Sequence, residues 1–348
     1  MTPHSPGSAR GTWLGHGPVR LLPALAAILV AAGCGSAPKQ DLPAAAEPAR
    51  SPPLERKPAG RVVRLGNKPE GMAADPVSGL VAVGLTDPDL LALVDGDSGR
   101  VVRRVDLPES PRHLQLAEPG GPVLVPAERG NALSEVSLPD GEIRSTKVGK
   151  FPHDATAAGG RILVANEFGN TVSVVEDGRV VRTLPAPLQP GGVVGAAGGS
   201  LAGLIAVRER VLELYDARSL RSLGRLPAGV GPTHLVSDGG NLLFVIDTQG
   251  NALLLYRLRP KLELNRRVFL PGTPYGVAID QRRKRLWVTL TERNEVVELT
   301  ATGGPRPLRS FPTVRQPNTV AVNPETGRVF IASRADGTLQ ILDPPDDP

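Results

Sequence analysis

An all-β fold, a seven-bladed β-propeller of four-stranded antiparallel blades, is what the sequence predicts. Three observations carry it. A proline-led motif recurs seven times at nearly constant spacing. Each interval divides into four short strands with turn signals between them. A further strand precedes the first motif and is available to close the ring.

The motifs begin at Pro69, Pro111, Pro152, Pro190, Pro232, Pro274 and Pro317, so the spacings are 42, 41, 38, 42, 42 and 43 residues. Each proline is followed by two polar or small residues and then an apolar stretch, as in Pro274-Tyr-Gly-Val-Ala and Pro317-Asn-Thr-Val-Ala. A polar turn follows, such as Asp75-Pro-Val-Ser-Gly79, then a second apolar strand, such as Leu242–Ile246. The next turn often carries Asn, at Asn131, Asn170, Asn251 and Asn294. The third strand alternates apolar and polar residues, as in Glu295-Val-Val-Glu-Leu, and the fourth is more polar, as in Arg100-Val-Val-Arg-Arg-Val. Such a unit has no helical period and describes a propeller blade. One blade cannot bury both faces, so blades stack around an axis. The seventh repeat ends after its third strand, and Gly60–Gly66 can supply the missing outer strand. That clasp removes the free edges of the ring.

Composition agrees. The 348 residues hold 40 Gly and 36 Pro, scattered at turn positions, and only 3% aromatics. The core must therefore be made mainly of Val, Leu, Ile and Ala. The net charge is +5, a mild excess that gives no argument for nucleic acid as a partner. Cys34 is the only cysteine, which excludes a disulfide framework and a Cys-rich metal site.

The N-terminal third of the first hundred residues reads as an address. Arg20, the apolar run 21–33 and a small-residue exit make a secretory signal, too short for a comfortable membrane span. Ala31-Ala32-Gly33-Cys34 resembles the lipobox of bacterial lipoproteins, in which the cysteine is acylated and becomes the new N-terminus. The expected domains are therefore a signal peptide over 1–33, a Pro/Ala-rich tether over 34–59, and a propeller over 60–348. The tether is expected to be flexible. The resemblance implies lipidation at Cys34 and a location on the outer face of the cytoplasmic membrane or in the cell envelope.

The repeats resemble the YVTN-type bacterial propellers, within the wider group of YncE-like and lactonase-like seven-bladed proteins. The Pro-x-Gly-Val-Ala strand starts, the Leu286-Trp-Val-Thr second strand and the Asn-x-Val third-strand openings carry that resemblance, over residues 60–343. The motifs imply the fold and leave activity open, because members include binders, surface proteins and enzymes.

Blade topology puts the entries to the first strands and the turns between second and third strands on one face. The Pro-x-x positions ring the channel mouth there. All three histidines beyond the signal, His113, His153 and His234, fall in this ring, with Glu70, Arg112, Asp154, Tyr275 and Asn318 beside them. The turns outside the ring offer Glu128, Asn166, Glu167, Arg208, Asp247, Thr291, Glu292 and Arg334. Three readings stand: strand caps lining a wet channel, a binding mouth for a small molecule or peptide, and a metal or acid–base site using the imidazoles. No cofactor is expected, with a divalent metal as the open alternative; close ligand spacing such as His-x-x-x-His is absent. No nucleophile elbow or Walker loop is present.

Basic turns on the opposite face, 281–285 and the Arg257–Arg267 connection, read first as solvated tips and second as a patch for anionic envelope polymer or lipid. The preferred reading is a non-enzymatic, monomeric, lipid-anchored scaffold whose channel mouth binds a small molecule, peptide or envelope protein. The alternative is a lactonase-like hydrolase or lyase using the mouth His and carboxylates.

Overall fold

The computed structural model describes residues 42–66 and 68–345, besides residues 11, 12 and 15. The signal segment and Cys34 lie outside the described residues. Leu42–Pro348 forms one compact unit.

The unit is a seven-bladed propeller, as the repeats predict. Its seven sheets each hold four antiparallel strands. Six follow chain order from inner to outer strand, as in blade five: Pro232–Ser237, Leu242–Asp247, Ala252–Arg257 and Glu263–Phe269. The seventh is completed by Arg61–Arg64, which pairs with Thr338–Ile341 and so joins the two ends of the ring. Gly60 turns the chain into this clasp at a φ of 68°, and a Cβ there would lie 2.3 Å from the Ile341 carbonyl oxygen. No other residue fits.

Seven apolar clusters hold the ring, each shared by two adjacent blades. Second and third strands are buried on both faces, so they read as nearly continuous runs such as Leu90-Leu-Ala-Leu-Val94. Outer strands are exposed and polar. Aliphatic residues dominate the clusters; Trp287, Tyr256, Phe244 and Phe330 are the largest fully buried side chains. The cluster between blades two and three is the smallest, with Leu124, Leu133, Ala155, Val164 and Val175.

The Pro-x-x motif has a structural cause. In six blades the ladder between inner and second strand shifts register directly after the proline, as between Pro152 and Asp154 or Pro232 and His234. A β-bulge of this kind leaves a residue unpaired and re-aims its side chain. Blade two goes further. Its inner strand is reduced to Gln115–Leu116, with a lone bridge from Pro111 to Ala127. The Arg112 N–H still bonds to the Pro126 carbonyl at 3.1 Å, but the chain then leaves the sheet, and the His113 N–H reaches the His153 carbonyl in the next blade at 3.3 Å. Gly71 makes room for this detour: a Cβ on it would lie 2.1 Å from the Arg112 carbonyl oxygen.

Blades are also latched at the mouth face. Asn131, Asn170, Asn251 and Asn294 adopt left-handed conformations with φ of 48–51°, which Asn tolerates better than most residues. Each side-chain oxygen accepts from a main-chain N–H just before the next blade's proline: Phe151, Gln189, Gly272 with Thr273, and Gln316.

Residues 42–59 do not behave as the free tether that their composition suggested. They lie on the ring. Arg208 donates to the Leu42 carbonyl, Ala46 packs beside Gly231, and Ser51 is buried against Thr291 and Gln316. Ala59 bonds to Pro312. Pro and Ala exclude regular pairing, but these residues still offer carbonyls and small side chains that polar groups on the mouth face can grip.

Candidate functional site at the channel mouth

Two kinds of segment build the mouth. Inner-strand starts supply Glu70, Arg112, His113, His153, Asp154, His234, Tyr275 and Asn318. Connections between second and third strands add Glu128, Glu167 and Arg334. Glu167 opens a single 3-10 turn, Glu167–Gly169, and its N–H is fixed by the Phe151 carbonyl.

A cavity of about 410 Å³ runs inward from this mouth. Glu70, Arg112, His113, Asp154, His234, Tyr275 and Asn318 all line it, with Arg334 from the outer turns. The rest of the wall mixes aliphatic side chains, Leu114, Val194, Leu235, Val277 and Val320, with the polar Gln115, Ser237, Gln281 and Thr319. His153 stands just behind this lining.

The three histidines converge although they come from blades two, three and five. His113 lies at the centre. Its ring centroid is 4.6 Å from His153, edge-on, and 4.7 Å from His234. Tyr275 meets His234 edge-on at 4.6 Å. The Nε2 atoms of His113 and His234 are 3.2 Å apart, so one must donate and the other accept. Burial, then the positive charges of His153 and Arg112, push His234 down to about 3. Burial, then His153 and His234, hold His113 well below its ordinary value. Both are neutral imidazoles at neutral pH.

His153 behaves in the opposite way. Its Nδ1 lies 3.0 Å from Glu128 and 2.9 Å from Glu167. Burial disfavours its charge, but the hydrogen bonds to these two carboxylates outweigh burial and raise its pKa. Glu167 is lowered in turn; burial is again outweighed, by His153 and by the Gln189 amide, which donates at 2.7 Å. Arg112 spans Glu70 at 3.2 Å and Glu128 at 3.4 Å, and Arg334 pairs with the other oxygen of Glu70. Burial nevertheless keeps the Glu70 pKa raised. Three carboxylates, those of Glu70, Glu128 and Glu167, thus face Arg112, Arg334 and His153.

Asp154 sits deeper. It accepts from Gln115 at 2.9 Å and from the Val193 N–H at 3.0 Å, which stitches the inner strands of blades two, three and four. Burial lifts its pKa to about 6.

Glu128, His153 and Glu167 form a group that can hold a metal ion, their ligand atoms lying within 4.8 Å of one another. Nitrogen–oxygen separations near 3 Å suit adjacent ligands on an ion with bonds of about 2.0–2.2 Å. Gln189 and Arg112 already orient the carboxylates, as outer partners of metal ligands do. The donor set fits a divalent cation, which would displace the shared proton.

The other outer-turn residues have structural work. Asn166 bonds to Thr171 and Ser173 within its turn. Asp247 accepts from Val230 and Gly231, and Thr291 lies under Ser51. Glu292 bonds to Thr273. Gln115, Gln189 and Gln316 were not singled out from the sequence. Gln189 and Gln316 share a signal, since each directly precedes a motif proline and each has a left-handed backbone.

On the opposite face several cations of the basic turns are paired with acids. Arg282 pairs with Glu325, Arg283 with Asp280, Arg285 with Glu298 and Arg257 with Glu263. Arg267 pairs with Asp247, on the mouth side.

No family model and no curated protein matches this sequence. Solved structures are similar in fold. One is a chain of Kuenenia stuttgartiensis hydrazine synthase, with TM-score 0.70 and 16% identity over 82% of this chain and 98% of that one. A streptogramin B lyase matches with TM-score 0.69 and 12% identity, covering 81% and 97%. The β-propeller domain of Myceliophteria thermophila Cps50 (Swd1) matches with TM-score 0.70 and 14% identity, covering 82% and 99%. At these identities the likeness is one of fold: the chain is a seven-bladed β-propeller scaffold.

Proposed function

We propose that this propeller is an exported, lipid-anchored binding module that holds a small amphipathic molecule at its channel mouth. The carrying observation is the cavity itself: charged and hydrogen-bonding groups at its rim, and a wall in which aliphatic side chains alternate with polar ones. Arg112 and Arg334 share Glu70 as partner, so a ligand carboxylate or phosphate can take over one of those contacts. The aliphatic side chains of the wall, among them Leu114, Leu235 and Val277, suit the apolar part of the ligand's body. Export and anchoring rest on the run 21–33 and on Cys34. Thermal-shift screening of small organic anions tests the ligand class: hits are expected that Arg334→Ala abolishes, and a mouth indifferent to every anion would refute it. Metabolic labelling with a palmitate analogue, expected to vanish in Cys34→Ala, tests the anchor.

A second reading, a hydrolase or lyase, is favoured by one observation, the His153 imidazole held between Glu128 and Glu167, whose hydrogen bonds raise its pKa. Such a group can deliver a proton to a leaving oxygen. Bound there, a divalent cation would act as a Lewis acid. Lactone and lyase assays with and without added Mg²⁺, Mn²⁺ or Zn²⁺ test it; turnover abolished by His153→Ala would establish it.

A further inference from the structure

Residues 42–59 cross the mouth face from blade four to blade seven, and their grip on it has a particular character. The Gln316 carboxamide accepts the Ser51 N–H at 2.9 Å and donates to the Ala49 carbonyl at 2.8 Å. That is the pairing a neighbouring strand would offer, made by one side chain. The Ser51 hydroxyl donates to the Thr291 carbonyl at 2.5 Å and accepts from the Gln316 N–H at 3.1 Å. Asn294 donates to the Pro52 carbonyl at 3.0 Å. Between the Arg208 contact and these anchors, Glu47 and Pro48 form part of the wall of the mouth cavity.

The attachment is specific but shallow. Ala46 and Ser51 are the buried side chains of this stretch, while Glu47 and Arg50 are exposed. Little apolar surface leaves water, and the bonds gather around Gln316. A segment with few buried contacts opens at far lower free energy than the fold it lies on. The clasp at Arg61–Arg64, with a continuous ladder to Thr338–Ile341, stays closed meanwhile.

We infer that residues 46–52 are a releasable strap, a peptide bound in cis that narrows the channel mouth, and that lifting it opens the way to His113 and His234. The strap controls access to the cavity proposed above as the binding site, and it rests on that reading for its purpose. Its test needs no ligand, so the two ideas fail separately.

The experiment uses the full chain and two variants. Ser51→Ala removes both hydroxyl bonds from a residue outside the ring's sheets. Gln316→Ala removes the carboxamide from the ring side. Two rates are read by mass spectrometry at neutral pH: tryptic cleavage after Arg50, and diethyl pyrocarbonate modification of His113 and His234, which reacts with neutral imidazole. Losing one or two hydrogen bonds should raise both rates about tenfold in each variant. His153, outside the cavity lining, serves as the internal reference and should not change. Faster cleavage with unchanged labelling of His113 and His234 would overturn the gating role. Cleavage unchanged in both variants would overturn the strap itself.

Discussion

At the scale of single residues, the mouth shows how one side-chain type is pushed in two directions within a few ångströms. Burial and nearby positive charge lower His113 and His234, whereas the two carboxylates against His153 raise its pKa despite burial. In an NMR titration, His153 should titrate above 6.5, His113 below 6.5, and His234 should show no titration between pH 5 and 8. Stability follows. An imidazole whose folded pKa lies near 3 binds fewer protons folded than unfolded between pH 3 and 6.5. His234 therefore costs the fold stability on acidification through that window, by up to about 1.4 kcal/mol per pH unit, and His113, also lowered, acts in the same direction. Asp154 works in the opposite direction. Its folded pKa of about 6 exceeds its ordinary 3.8, so it favours the fold as pH falls through that interval. Glu70 and His153, both raised, act with Asp154. Between pH 7 and 4 the urea midpoint of His234→Gln should therefore change in favour of the fold relative to the parent as pH falls, because the variant lacks the His234 penalty. The sequence placed these residues in one ring because they share the register of the motif proline. It did not show that they meet, since the His113–His153 contact depends on blade two abandoning its inner strand after Arg112.

At the scale of the element, the repeats announced themselves through proline and asparagine, and the structure supplies the reason. The proline precedes a bulge that turns the next side chain toward the channel. The asparagine takes a left-handed turn and holds the entrance of the next blade. Asn251 is the clearest case, accepting from Gly272 at 3.2 Å and Thr273 at 3.0 Å. Asn251→Ala loses both bonds and strains a backbone with φ of 48°, at an expected cost of about 2 kcal/mol. Asn251→Gly keeps the conformation and loses only the bonds, for about 1 kcal/mol. The difference between the two denaturation midpoints isolates the backbone contribution; equal costs would refute the left-handed requirement. Strand boundaries were legible because apolar runs and Gly-containing turns alternate. The bulges were not, because a register shift leaves no mark on polarity. Nor was the docking of residues 42–59: a Pro/Ala-rich stretch has the composition of a tether, and the groups that hold it, Gln316 and Asn294, lie more than 240 residues away.

At the scale of the whole molecule, the ring distributes its apolar material unevenly, and the site explains where it is thin. The interface between blades two and three has the smallest cluster, and Glu128, His153 and Glu167 occupy that interface. Charged groups there must be taken out of water and then matched to one another. A matched buried ionic group commonly stabilises no more than apolar residues of similar volume would, whereas removing one member strands the others. Two measurements follow. Glu167→Leu alone leaves His153 with one carboxylate partner and strands the Gln189 amide, and should destabilise the fold by about 3 kcal/mol. The combined replacement Glu128→Leu, His153→Phe, Glu167→Leu extends the cluster of Leu124, Leu133 and Val164, and should be neutral or stabilising by about 1–4 kcal/mol relative to the parent. Equilibrium unfolding of both proteins decides the matter. A triple variant markedly less stable than Glu167→Leu would mean that the polar group holds blades two and three together. The expected result means that the ring keeps its charged mouth at the expense of stability, as a site retained for binding or chemistry requires.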